Sequence, residues 1–226
     1  MALARALASS FTAYAYDRRG RGDSTEAGPY SVEREVDDLR ALVDAAGGSA
    51  ALFGMSSGCA LVLASAAAGV RATGIALYDP PFSIGADAEK QAMAYDARLR
   101  ELVDARDNDA ALALFLTTIG MPPQAIEGMR KGRGWRPLTA LAPTLVHDAA
   151  VLNSRGGAPV PAASIGKIDA PILAMAGALS PPALQQAAGA VAAAARRGSY
   201  QVLPAQTHDV SVDALAPVLI GFFSAA

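Results

Sequence analysis

Two rhythms of apolar and polar positions run along the chain. FTAYAY (11–16) sets aromatic side chains at alternate places, the period of a strand, after a short apolar helix over 2–9. SVEREVDDLRALVDAAGG (31–48) keeps a helical period through Val32, Val36, Leu39, Leu42 and Val43, with Ser31 placed to cap it and Gly47 to stop it. SAALFG (49–54) is a short uncharged run suited to a buried parallel strand, and a helix of small residues follows over 57–68. ATGIALYD (72–79) predicts a further strand, halted by Pro80 and Pro81 because proline cannot donate to a ladder.

Residues 86–153 hold helical periods only, separated by glycine and proline. Strand and helix then alternate again over 170–177, 182–197, 199–205 and 212–224. Strands separated by helices imply an α/β fold, with a mostly parallel sheet, helices on both faces and an inserted helical lid. The expected division is a core over 1–80 and 168–226, with the lid over 81–167.

Composition narrows the partners. The 226 residues suffice for a substantial core, and a formal net charge of −2 gives no electrostatic reason to expect nucleic acid or an anionic membrane. A small organic substrate is the expected partner, and self-association through exposed sheet is open. Residues 45–70 carry no charge, but glycines and serines divide them into a strand and a buried helix rather than a membrane span. Arg5 inside the first apolar run argues against a signal peptide. Cys59 is the single cysteine, which excludes an intramolecular disulfide and suits a reducing, cytoplasmic compartment. Two histidines far apart in sequence, with no carboxylate cluster, give no metal site, and no cofactor is implied.

Gly54-Met55-Ser56-Ser57-Gly58 fits G-x-S-x-G. A nucleophilic serine there must occupy a strained turn from strand to helix, so the positions two away must lack bulk. The same small residues would also serve a plain tight turn. In the first reading Ser56 attacks, and the Ser57 amide, at a helix N-terminus, faces the developing oxyanion. A serine needs a base. His208 follows the last strand, on the same strand-end side as Ser56; His147 lies in the helical segment, where a partly exposed surface histidine is the plainer reading.

YDRRGRGDS, GMSSG, LYDPPF and PAQTHD occur in this order along the chain, and together they resemble the strand-loop, nucleophile-elbow, strand-end and histidine-loop segments of the α/β-hydrolase family. The resemblance covers essentially the whole chain. It implies hydrolysis of an ester, thioester, lactone or similar small organic carbonyl compound through an acyl-enzyme, and equally accommodates cofactor-free peroxidases and C–C hydrolases. Two departures stand out. Where relatives carry an acid after the strand PILAMAG, this chain has Ser180, and no carboxylate occurs from Pro171 to Gln206. Asp79 is the substitute expected to orient His208, although it also suits a cap on the turn before Pro80; Asp148 and Asp209 are weaker candidates.

The second departure is that relatives have strands, and a His-Gly loop supplying an oxyanion amide, ahead of the point that matches residue 1. The expectation is a shortened form, a substitute element in the gap, or direct closure of the strands at 11–16 and 49–54. Loss of one oxyanion donor typically lowers the rate about a hundredfold or more. A catalytically impaired or non-catalytic binding protein is therefore the alternative reading.

Arg18, Arg19 and Arg21 could grip a substrate carboxylate, but a solvated loop held by Asp17 and Asp23 is the expected arrangement. Met93, Tyr95, Phe115, Met121 and Trp135 suit either an apolar pocket or packing of the lid onto the core, and Cys59 reads as inert packing.

Overall fold

The computed structural model describes residues 2–85, 87–153 and 159–226. Its elements are α1 (Ala2–Leu7), α2 (Val32–Ala45), β1 (Ala50–Met55), α3 (Ser57–Ala67), β2 (Ala72–Tyr78), then α4 (Ala88–Asp104), α5 (Asn108–Thr118), α6 (Pro123–Arg130), α7 (Trp135–Leu141), α8 (Leu145–Asn153) and α9 (Ala162–Ile165). They end with β3 (Ile172–Gly177), α10 (Pro182–Ala194), β4 (Gly198–Leu203) and α11 (Val212–Ser224). The four strands form one parallel sheet in the order β1-β2-β3-β4.

The side-chain alternation of a strand explains why this sheet is covered twice. Ile75 and Leu77 of β2 with Ile172, Ala174 and Ala176 of β3 face one core, built with α2, α3 and α10 through Val36, Leu39, Leu61 and Val191. The intervening Ala76, Tyr78, Leu173 and Met175 face a second core with Leu215 and Leu219 of α11, and Leu3 and Leu7 of α1 pack against it. Both faces of β2 and β3 are thus dry, which is why their sequences lack charge. Ser31 caps α2 by accepting from the Arg34 amide.

The segment between β2 and β3 is helical, α4 to α9, with its own apolar cluster around Leu99, Leu112, Leu116, Ile126 and Trp135. Ala86 and residues 154–158 of that segment lie outside the described residues. Tyr95, Phe115 and Met121 pack on this cluster, and Trp135 is buried in it. Met93 is instead 62% exposed. For the other four, packing rather than a pocket lining is what the structure shows.

The strand expected over 11–16 is a correction. That segment carries no ladder and its side chains are largely exposed, Tyr14 to 61%. Alternation reports which way side chains point, whereas a strand also needs a neighbour for its amides and carbonyls. Here the segment rests on α11, with Phe11 edge-on to Phe223 at 6.3 Å, and β1 is an edge strand with no partner on its far side among the described residues. Among the described residues the 11–16 segment does not close directly onto β1, and no strand pairs with the far side of β1.

Candidate active site

In a parallel sheet all strands end at one rim, and the register here (Met55 beside Tyr78, Tyr78 beside Met175, Gly177 beside Leu203) puts the residues after β1, β2, β3 and β4 there together. Ser56 follows β1 directly, with φ 53° and ψ −129°. A non-glycine residue in that region is strained by about 1–3 kcal/mol and persists only when its surroundings impose it. They do: the Ser56 amide donates to the Tyr78 carbonyl at 3.0 Å, and the backbone enters α3 at once, the Cys59 amide donating back to the Ser56 carbonyl at 2.9 Å.

The two glycines of the motif are not equivalent. A Cβ on Gly54 would lie 2.6 Å from the Gly58 carbonyl oxygen and 2.8 Å from the Cys59 nitrogen, whereas one on Gly58 would meet nothing within 4 Å. Gly54→Ala is therefore expected to destabilise the protein by about 1–3 kcal/mol through forced opening of the turn. Gly58→Ala, at a helical position with free space, is expected to be neutral or stabilising by up to about 1 kcal/mol. Urea denaturation of the two variants checks the contrast.

His208 reaches the site from the far strand. Between β1 and β4 lie three strand spacings, about 14 Å at roughly 4.8 Å each. The loop after β4 folds back over the strand ends as far as the end of β2, two of those spacings. Leu179 N–H donates to the Gln206 carbonyl at 2.8 Å and the Tyr78 hydroxyl to the Thr207 carbonyl at 2.5 Å. Gly177 permits the approach, since a Cβ there would stand 2.3 Å from the Gln206 oxygen. The result sets His208 Nδ1 3.0 Å from Asp79 Oδ2. An ionised carboxylate can only accept at that contact, which selects the tautomer with the proton on Nδ1 and leaves Nε2 as the acceptor of a neutral ring.

Asp79 is fully buried, itself at a positive φ of 49°, and among the described residues its carboxylate bonds to Gly177, Ser180 and His208 rather than to the Pro80 turn. Its Oδ1 accepts from the Gly177 amide at 3.2 Å, and its Oδ2 accepts from the Ser180 hydroxyl at 2.6 Å as well as facing His208. Burial, reinforced by the Asp79 charge, pushes Tyr78 up to about 12, so its hydroxyl stays a neutral donor. Burial likewise pushes the Cys59 thiol up, and its Sγ contacts the Gly54 and Tyr78 carbonyls, a packing role.

The Ser57 amide opens α3 and has no acceptor among the described residues. Nor does a hydrogen bond join Ser56 Oγ to His208 among them, so proton exchange between the two requires a side-chain rotation or a bound substrate that closes the pair. A strained hydroxyl, an imidazole held by a buried carboxylate and a free helix-terminal amide on one rim are the groups that acyl transfer uses. A separate cavity of about 340 Å³, lined by Ala60, Leu63, Phe82, Val151, Val160 and Ile165, lies along α3; Ser56, Asp79 and His208 do not line it.

Three expectations change. Arg18, Arg19 and Arg21 neither float in solvent nor stand free for a substrate. Arg18 makes paired bonds of 2.7 and 2.6 Å to Glu35 and one of 2.7 Å to Asp148, and lies 3.4 Å from Ser57 Oγ. Arg19 pairs with Asp38, and Arg21 holds Asp148 and Thr144. Asp148 is thus engaged as a tie between the 17–24 loop and α8, not with His208. Asp209 touches the site only through its backbone, where its carbonyl accepts from the Thr207 hydroxyl at 3.4 Å.

His147 is also not a surface histidine. Its side chain is 6% exposed, stacked on Tyr30 with ring centroids 3.8 Å apart, and Nε2 lies 3.1 Å from Glu26. Burial lowers its proton affinity; Glu26 and Glu35 oppose this, while Arg21 and Arg18 add to it. With the folded value below the ordinary one near 6.5, the unfolded chain binds more protons in between, and linkage makes stability rise with pH there. His147 should thus contribute fully above about pH 6.5 and destabilise as pH falls through that window. The difference in thermal stability between wild type and His147→Gln should stay constant from pH 8 to about pH 6.5 and change only below it, as melts across pH 8 to pH 5 would show.

Ser180, Tyr78, Glu35 and the folded-back 204–211 loop are the parts the sequence reading missed. Only Ser180 left a signal, as the hydroxyl standing where relatives have an acid. Comparisons with known proteins bear on the fold and family. A search of curated proteins finds no match. An alpha/beta hydrolase from Sphaerobacter thermophilus DSM 20745 is 41% identical, with a TM-score of 0.87 over 98% of this chain and 85% of that one. Two more distant structures share the fold: a hydrolase from Pseudomonas aeruginosa PA01 (22% identity, TM-score 0.63, 93% of this chain and 77% of that one) and the 2-hydroxy-6-oxo-6-phenylhexa-2,4-dienoate hydrolase of Rhodococcus sp. strain RHA1 (16%, 0.59, 92% and 78%). No described helix is long and apolar enough to cross a membrane. With the family model matching residues 1–219, strand ends and strained turn included, the chain belongs to the alpha/beta hydrolase family.

Proposed function

We propose that the protein is a serine hydrolase acting on an ester, thioester, lactone or similar small organic carbonyl compound through an acyl-enzyme. Ser56 Oγ attacks the carbonyl carbon while His208 Nε2 takes its proton; the imidazolium so formed is stabilised by Asp79 through Nδ1–H. The Ser57 amide donates to the carbonyl oxygen as it gains charge. The imidazolium then protonates the leaving group, and water, activated by the same nitrogen, releases the acid. No step calls for a cofactor.

The observation that carries this reading is the bond between His208 and the buried Asp79, formed from distant parts of the chain on the rim where Ser56 is held in its strained conformation. Fold relatives named as a dienoate hydrolase and a non-heme bromoperoxidase keep the carbonyl class broad.

The edge of β1 that has no partner strand among the described residues favours a second reading, a binding protein with impaired catalysis. Stopped-flow with p-nitrophenyl butyrate separates the two. The first predicts a burst of one p-nitrophenol per chain, lost in Ser56→Ala, and a fall of about 10³–10⁴-fold in acylation for Asp79→Asn, which leaves the imidazole in the wrong tautomer. A folded wild-type chain with neither burst nor turnover supports the second.

A further inference from the structure

Asp79 Oδ2 has two partners, and the closer one is not the histidine. The Ser180 hydroxyl donates to it at 2.6 Å while His208 Nδ1 stands at 3.0 Å. Ser180 is 3% exposed and fixed on every side: its amide donates to the Gly177 carbonyl at 3.1 Å, and its own carbonyl accepts from Gln185 Nε2 at 2.9 Å. Its hydroxyl also faces the Tyr78 phenol, but the bond it donates goes to the Asp79 oxygen turned toward His208.

We propose that Ser180 is a positioning residue that locks the plane of the Asp79 carboxylate and, by sharing Oδ2 with His208, moderates the pull of the carboxylate on the Nδ1 proton. This deepens the hydrolytic reading and rests on it for its catalytic consequence. The physical reason is that a hydroxyl donated to a carboxylate oxygen withdraws part of its charge, so less remains for the second donor. With the Gly177 amide on Oδ1 and Ser180 on Oδ2, the carboxylate cannot turn without breaking a buried bond. The other titratable groups facing Asp79 are the Cys59 thiol and the Tyr78 and Tyr200 hydroxyls, whose protons burial retains, and Asp209 follows His208 in sequence.

The same geometry makes the acid transferable. Position 180 already places an oxygen 2.6 Å from the one that meets His208, so a carboxylate from that loop can reach nearly the same place. In Asp79→Asn/Ser180→Asp the side-chain carbonyl introduced at position 79 can still accept from the Gly177 amide, and its amide group can donate to the new acid. Asparagine is also among the residues that tolerate a positive φ.

Two readouts test this. The first is NMR of the two histidine rings, assigned with His147→Gln. In Ser180→Ala the His208 Nδ1–H resonance should move downfield as its bond to Asp79 strengthens, and Ser180→Thr should restore the wild-type position. The second is fluorophosphonate acylation. Ser180→Ala should slow it about tenfold at neutral pH, the size expected for a hydrogen bond to a charged group, and move the acid limb of its pH profile upward. The double variant should react at least tenfold faster than Asp79→Asn alone. An unmoved Nδ1–H resonance in folded Ser180→Ala overturns the proposal, whether or not the enzyme reacts. A moved resonance in a wild-type chain that never reacts supports the positioning role and removes the hydrolytic one.

Discussion

His208→Ala is expected to lower the rate of Ser56 acylation by about 10⁴-fold or more, because a hydroxyl without its base is a poor nucleophile at neutral pH. The structure makes the expectation specific to one of two histidines. His208 is partly exposed at the rim with Nδ1 on the buried Asp79, whereas His147 is enclosed between Tyr30 and Glu26. His147→Gln should consequently leave the acylation rate within a few-fold of wild type while altering stability on the acid side. Rates from stopped-flow for the two variants, measured on chains with matching circular dichroism, decide the point. A comparable loss in both, or in neither, would remove His208 from the role assigned to it.

Arg18→Met is expected to produce the largest loss of stability of any single charge removal, about 3–5 kcal/mol, through its effect on Glu35. The Glu35 side chain is 2% exposed and Arg18 satisfies both of its oxygens, with the Tyr30 hydroxyl as a third donor at 2.8 Å. Removing the guanidinium strands a buried carboxylate and frees Asp148 from one of its two arginines. The isolated charge, rather than the lost attraction, accounts for most of the effect, so Arg18→Met/Glu35→Gln should recover the greater part of it. Urea denaturation of the three proteins provides the test. The cluster also joins the 17–24 loop to α2 and α8 near Ser57, so the single variant should loosen the attachment of α8 to α2.

β2 and β3 were legible because a strand dry on both faces must be an uncharged run, and GIALY and ILAMAG are such runs, while β1 showed as the uncharged SAALFG and β4, exposed except at Leu203, only by its place between two helical periods. The error at 11–16 came from the same kind of evidence. Tyr14 and Tyr16 alternate as a strand would, but period two is silent about whether a partner strand exists. At the site, Ser56 and His208 were readable from motif and order, and Asp79 from its place at a strand end.

What joins Asp79 to His208 was hidden. It depends on the 204–211 loop doubling back across two strands, which needs the Tyr78 hydroxyl below and a glycine at 177. The arginine cluster was misread for a related reason: a dense run of charge looks solvated until partners 17 and 130 residues away are known to close on it.

If Ser56 is a nucleophile served by His208 at a shared rim, incubation with a fluorophosphonate followed by intact-mass and peptide mass spectrometry should find one adduct per chain, located on Ser56, absent from Ser56→Ala and strongly slowed in His208→Ala. A folded chain that stays unmodified, or one modified equally well when Ser56 is replaced by alanine, would contradict it.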